Sequence, residues 1–242
     1  MCVVGQASVD AEDGIRTVLL EAVRATDEAL RGLGRAERSA GLERQVEIDR
    51  VRTEVRHAAR MILESLLGSV EVDTGREGHS RRVATTARAI GEELGMSPPR
   101  VIKLEQAARL HDVGEILLDW EKMSAPRELG AAERRSLRRH PTIGERLLPT
   151  VGFDPEACRI VGAHHERLDG SGYPDRLTGD HVSFGAQVLA VAEAFEAMTH
   201  PRPYRPAMDP VDAFSTLRRE AVAGRLSARV IDALEKVVSR RS

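Results

Sequence analysis

Five of the eight histidines in this 242-residue chain share one setting. His79, His111, His140, His164 and His165 each stand at or near the end of an apolar helical stretch. An acidic residue, Asp112, follows His111 directly, and a second, Glu193, lies inside the apolar run from Val188 to Phe195. A carboxylate buried there costs free energy unless a cation or strong hydrogen bonds meet it. Imidazole nitrogens and carboxylate oxygens together suit first-row transition metals such as iron and manganese. Seven such groups exceed what one ion needs, so the expectation is two divalent ions side by side. A pair of ions can hold both the attacking and the leaving oxygen of an in-line phosphoryl displacement. Each group also has a plainer reading. His-Asp and His-His pairs arise by chance, and Glu193 could be an ion-paired core carboxylate. His57, His181 and His200 read as surface or satisfied core residues and stand outside the set.

The combination, in this order, resembles a known family. The stretch AHHERLDGSGYP from Ala163 to Pro174 closely resembles the loop that names the HD-GYP family. Upstream, LHDVG from Leu110 to Gly114 resembles its HD motif, and GHSRRVA from Gly78 to Ala84 resembles its first metal-histidine helix. HPTIG from His140, AVAEAFEAMT from Ala190, and RPYR from Arg202 resemble the remaining motifs. The resemblance implies an HD-type helical bundle that hydrolyses a 3′–5′ phosphodiester of cyclic di-GMP. It implies His79, His111, Asp112, His140, His164, His165 and Glu193 as metal ligands, with His111 and Asp112 central to catalysis. Tyr173, Arg202 and Arg205 are the implied contacts to the cyclic dinucleotide. Their chemistry suits that role: an arginine offers a planar fork for phosphate oxygens, and a tyrosine ring can stack on guanine. Gly170 and Gly172 would let the loop backbone approach a ligand closely.

Three positions depart from the family pattern. Glu115 stands where the family has Lys, replacing attraction for the scissile phosphate with repulsion. At ~4 Å and an effective dielectric near ~20, each such term is roughly 4 kcal/mol before screening. Glu193 replaces the usual Asp, keeping an oxygen ligand on a longer arm. Gly75 stands where members proposed to bind three metals have Glu, which favours two ions. The Glu115 departure keeps a second reading open, a catalytically impaired domain that binds cyclic di-GMP or a protein and signals by conformation. A related phosphohydrolase acting on another nucleotide is a further alternative.

The elements that must position these residues read as helices throughout, so the fold class is all-α. Residues 1–13 read as a disordered tail. Ile15 to Arg31 reads as an amphipathic helix, and Leu42 to Leu67 as a longer one with Leu42, Val46, Val51, Val55, Ala58, Ile62 and Leu66 in a stripe. Together 14–67 form a helical N-terminal region for dimerisation or signal input, and a homodimer is expected. A linker over Gly68–Gly78 leads to the catalytic domain, 68–242. There the helices are Ser80–Leu94 with Gly95 closing it, one from Ser97-Pro98-Pro99 to His111-Asp112, and others near 131–139, 141–148, 155–167, 183–199, 210–222 and 227–239. No internal repeat and no sustained alternation of period two appears.

Composition narrows the class. Hydrophobic residues make up 41% and aromatics only 3%, so the core relies on Leu, Val, Ile and Ala, which favours helices. A net charge of -2 gives no electrostatic argument for a nucleic-acid polymer or an anionic membrane. No segment approaches the ~20 apolar residues that cross a bilayer. Cys2 and Cys158 make no disulfide framework and read as free thiols in a reducing compartment, so the expected location is the cytoplasm.

Overall fold

The computed structural model describes residues 17, 21, 24–26, 28–33, 42–118, 130–202 and 205–240. The tail expected over 1–13 lies outside these residues, as does much of the helix expected from Ile15. Helical backbone is described at 24–26 and 28–33.

The long helix α1, Leu42–Asp73, departs from the sequence reading in two ways. It runs straight through the first part of the linker expected over Gly68–Gly78, ending only at Asp73. A glycine inside a helix costs about 1 kcal/mol relative to alanine, whereas burying one leucine side chain stabilises by roughly 1.5–3 kcal/mol. Leu63 and Leu67 are both within the core, so the helix holds across Gly68. The buried face is also turned by one residue. The expected stripe passes through Ala58, Ile62 and Leu66, but the core takes Ala59, Leu63 and Leu67. One residue is ~100° of helix rotation, so Ala58 and Ile62 face outward.

Among the described residues eight further helices follow. α2, His79–Glu93, buries Val83, Ala84, Ala87, Ile90 and Gly91 along one face. Its end follows the Schellman pattern, with Met96 N–H donating to Gly91 O and Gly95 N–H to Glu92 O, both at 3.0 Å. α3, Pro98–Arg109, starts at Ser97 as expected, though the serine side chain makes no capping bond. A 3-10 turn, Val113–Leu117, follows the His-Asp pair. Next come α4 (Ala131–Leu137), α5 (His140–Leu147) and α6 (Pro155–Ala163). α6 stops four residues short of the expected 167, because the loop that follows turns away at His164. α7 (Phe184–Thr199), α8 (Pro210–Val222) and α9 (Ala228–Ser239) complete the chain.

α7 is the central helix. Val188, Leu189, Ala190, Val191 and Ala192 are buried in succession, so this segment is apolar all round and must be surrounded. It packs against α2, α6, α8 and α9, while α2 packs on α3 and α5 packs on α6. Among the described residues there is no strand, only isolated bridges at Asp169–Thr178 and Arg202–Arg205. No described helix is long and apolar enough to cross a membrane.

Candidate metal centre

The helix ends converge at one place in the bundle, and three histidines share one local geometry there. His111, His140 and His164 each donate Nδ1–H to the carbonyl three residues back, Ala108 at 2.9 Å, Leu137 at 2.7 Å and Val161 at 2.6 Å. The open carbonyls at the end of a helical turn supply these acceptors. His79, at the start of α2, bonds instead through Nδ1 to the Glu196 carboxylate. In all four, an acceptor outside the centre claims one ring nitrogen and leaves Nε2 for a cation.

Asp112 joins the groups. Its Oδ2 stands 3.2 Å from His111 Nε2 and 4.0 Å from His79 Nε2. Its Oδ1 stands 3.3 Å from His140 Nε2 and 4.0 Å from His164 Nε2. One carboxylate therefore faces two ligand sets, His79–His111–Asp112 and His140–His164–His165, whose ligand atoms lie within 4.8 Å of one another in each set. The residues fit metal ions by two further observations. His111 Nε2 is buried with Asp112 Oδ2 at 3.2 Å but no hydrogen bond of good angle, and the Nε2 atoms of His140 and His164 approach to 3.1 Å. Burial lowers the His140 and His164 pKa values and takes His165 down to about 4, which favours the neutral, ligating imidazole. Burial also opposes a charge on His111, but the Asp112 carboxylate outweighs it and pushes the ring up to about 10. A bound cation would displace that proton.

Six of the seven expected ligands thus meet in two clusters. Glu193 joins neither among the described residues; its carboxylate stands 3.9 Å from His165 Nδ1. Glu115 enters instead, in a third cluster with Asp112 and His140. Glu115 does not present the unopposed negative charge read from the sequence. Arg76 bonds to it through Nη2 and to Asp112 Oδ2 through Nη1 at 3.0 Å. Burial and the Asp112 charge push the Glu115 carboxyl up to about 8, against the pull of Arg76.

The glycine-rich loop is held from inside. Glu166 is buried and accepts three backbone N–H bonds, from Asp175 at 2.6 Å, Arg176 at 3.1 Å and Leu177 at 3.0 Å. At Gly172 a Cβ would overlap the Arg167 backbone nitrogen, so the close chain crossing needs glycine there. Tyr173 packs its ring 4.7 Å from that of His165, and the Arg138 guanidinium lies 5.2 Å from the tyrosine centroid. Arg202 reaches Glu196 at 3.9 Å. Arg205 donates Nη2–H to the Ala197 carbonyl, so its fork is engaged at the end of α7.

The HD domain family profile matches residues 69–230. The chain belongs to the HD domain family, in its HD-GYP branch. It is similar to the 3′3′-cGAMP-specific phosphodiesterase 1 of Vibrio cholerae, at 33% identity over 64% of this chain and 36% of that protein. It is also similar to the cyclic di-GMP phosphodiesterase response regulator of Xanthomonas campestris pv. campestris, at 37% identity over 75% of this chain and 48% of that protein. The chain therefore spans about a third to a half of the length of these relatives. An HDG"Y"P protein structure from Bdellovibrio bacteriovorus aligns with TM-score 0.56 and 17% identity over 95% of this chain and 81% of that one, a likeness of fold.

Three residues of the HD-GYP centre escaped the sequence reading. Glu196 sits three positions after Glu193 in the same apolar helix, and the burial argument applied to Glu193 extends to it. Glu166 directly follows the His-His pair, a polar residue at the entry to a tight loop. Arg76 gave no signal, because its partners lie 36 and 39 residues away in sequence.

Proposed function

We propose that this HD-GYP domain is a metal-dependent phosphodiesterase that hydrolyses cyclic di-GMP, with two divalent ions of iron or manganese. The split of the Asp112 oxygens between two histidine groups carries this reading. His79, His111 and Asp112 would hold one ion, and His140, His164 and His165 the other, with Glu193 at the edge beside His165. When bound, the ions supply the positive charge that an in-line phosphoryl displacement requires. Tyr173, beside His165, and Arg202, beside Glu196, would orient the dinucleotide, with Arg205 fixing the segment that carries Arg202. Relatives named for cyclic di-GMP and for 3′3′-cGAMP support the substrate class of a 3′–5′ cyclic dinucleotide. Pairing of Glu115 with Arg76 favours turnover over the impaired, binding-only reading.

The test is anaerobic loading with Fe(II) or Mn(II), metal analysis, and chromatography of products from cyclic di-GMP and 3′3′-cGAMP. Turnover of cyclic di-GMP that vanishes on chelation is expected. Absence of turnover in protein with both ions bound would overturn the enzymatic reading in favour of the receptor.

The proposal extends to a homodimer in the cytoplasm. The catalytic bundle covers Ala59, Leu63 and Leu67 of α1 and leaves the neighbouring Ala58 and Ile62 exposed, an outward stripe that suits a second copy. Light scattering at micromolar concentration should give twice the chain mass, and a monomer mass would rule the dimer out. Cytoplasmic placement is supported by Cys158 as a free, buried thiol.

A further inference from the structure

The third ligand cluster, Asp112–Glu115–His140, is built from two buried carboxylates and an imidazole, a donor set that suits a divalent ion as well as the other two do. It differs from them in one respect. It holds two carboxylates, and both already share a cation that belongs to the chain, whereas the His79–His111–Asp112 set has only Asp112 and the His140–His164–His165 set has no carboxylate. Arg76 Nη1 donates to Asp112 Oδ2 at 3.0 Å, and Nη2 donates to Glu115. The remaining donor edge is occupied too, since Nε–H donates to Thr74 Oγ1 at 3.0 Å, and Thr74 is itself anchored to the Val70 carbonyl at 2.8 Å. The arginine side chain is 13% exposed. Its backbone is tied on both sides, by Arg76 N–H to Glu71 O at 2.6 Å and by His79 N–H to Arg76 O at 2.9 Å. The guanidinium is therefore delivered to the centre by the turn between α1 and α2, held on every edge, and aimed at the carboxylate that divides the two histidine groups.

We propose that Arg76 is a fixed cation of the metal centre, occupying the Asp112–Glu115–His140 cluster in place of a further ion and limiting the centre to two. This inference rests on the two-ion reading above. A guanidinium cannot dissociate under chelation, and it keeps Asp112 Oδ2 neutralised while ions come and go. It also repels any divalent ion that approaches Glu115, since both carry positive charge at short range.

The test uses the full chain, stripped of metal and titrated with Mn(II) by equilibrium dialysis, with bound manganese counted per chain. The parent should saturate at two ions. Arg76→Met should bind one more, and Arg76→Gln, which keeps a polar side chain at that position, should do the same. Adding Glu115→Gln to Arg76→Met should remove the extra ion by dismantling its ligand set. A parent that binds three ions, or arginine variants that keep the parent count or fall below it, would overturn the proposal. Loss of helical circular dichroism in both single variants would also overturn it, by showing that Arg76 is a scaffold residue. A parent that binds no ion or one fails the two-ion reading itself, before any variant is compared.

Discussion

Asp112 Oδ1 stands 3.3 Å from His140 Nε2, although the two residues belong to different segments of the bundle. The other oxygen of that carboxylate faces His111 and His79. Asp112→Asn keeps the shape but removes the shared negative charge and turns one oxygen into a donor. Both ions should then be lost together, with manganese content falling at least tenfold at micromolar metal. Retention of one full ion in the variant would show that the two sets are independent.

Glu196 acts through His79. It bonds Nδ1 of that ring and also accepts from Arg82 Nε at 2.6 Å. Partners of this kind orient the ring, and their removal typically costs about 10–100-fold in metal affinity. Glu196→Gln should weaken manganese binding within that range while leaving the circular dichroism spectrum unchanged. Unchanged affinity would mean that His79 is positioned by packing alone.

Glu166 organises the loop that carries Tyr173. Glu166→Ala leaves three backbone N–H groups without their acceptor, a loss of about 2 kcal/mol or more. The expected result is a lower melting temperature together with a KM for cyclic di-GMP raised severalfold, because Tyr173 loses its support. A drop in melting temperature with KM unchanged would separate loop stability from substrate binding.

At Gly114 the turn after His111-Asp112 runs close against the backbone of α5. A Cβ there would overlap the His140 carbonyl oxygen and come within 2.9 Å of Gly144 N. Both neighbours are backbone and cannot rotate aside, so Gly114→Ala should destabilise the domain by about 3 kcal/mol. Urea unfolding measures this directly, and a midpoint equal to the parent would contradict the close approach.

Cys158 is 3% exposed in α6, and burial, assisted by Glu145, pushes its thiol from 9.0 up to about 11. In the unfolded chain the thiol loses its proton first, so stability is full below about pH 9 and falls as pH rises through about 11. Cys158→Ala should flatten that alkaline limb relative to the parent. At pH 8 the native thiol should resist iodoacetamide, as read by peptide mass mapping. Rapid labelling at Cys158 in the folded protein would refute the burial.

Sequence alone picked out His79, His111, Asp112, His140, His164 and His165, the six side chains that the structure gathers into two clusters, and most of the helices beside them. His111-Asp112 and His164-His165 sit just past the end of a helix and His140 at the start of one, so the chain's own punctuation places the donors, and the helix start at Ser97-Pro98-Pro99 follows from local backbone chemistry. Tertiary structure decided what depends on contacts distant along the chain. In α1, Ala58 and Ile62 stand beside Ala59 and Leu63, two stripes with the same periodicity, and only the shape of the bundle selects the second. The same holds for charge. Glu115 reads as an isolated anion until α1 and the turn after it bring Arg76 across 39 residues to meet it. Local propensity acts over a helical turn or two, whereas the pairing of buried charges is settled by which surfaces pack together.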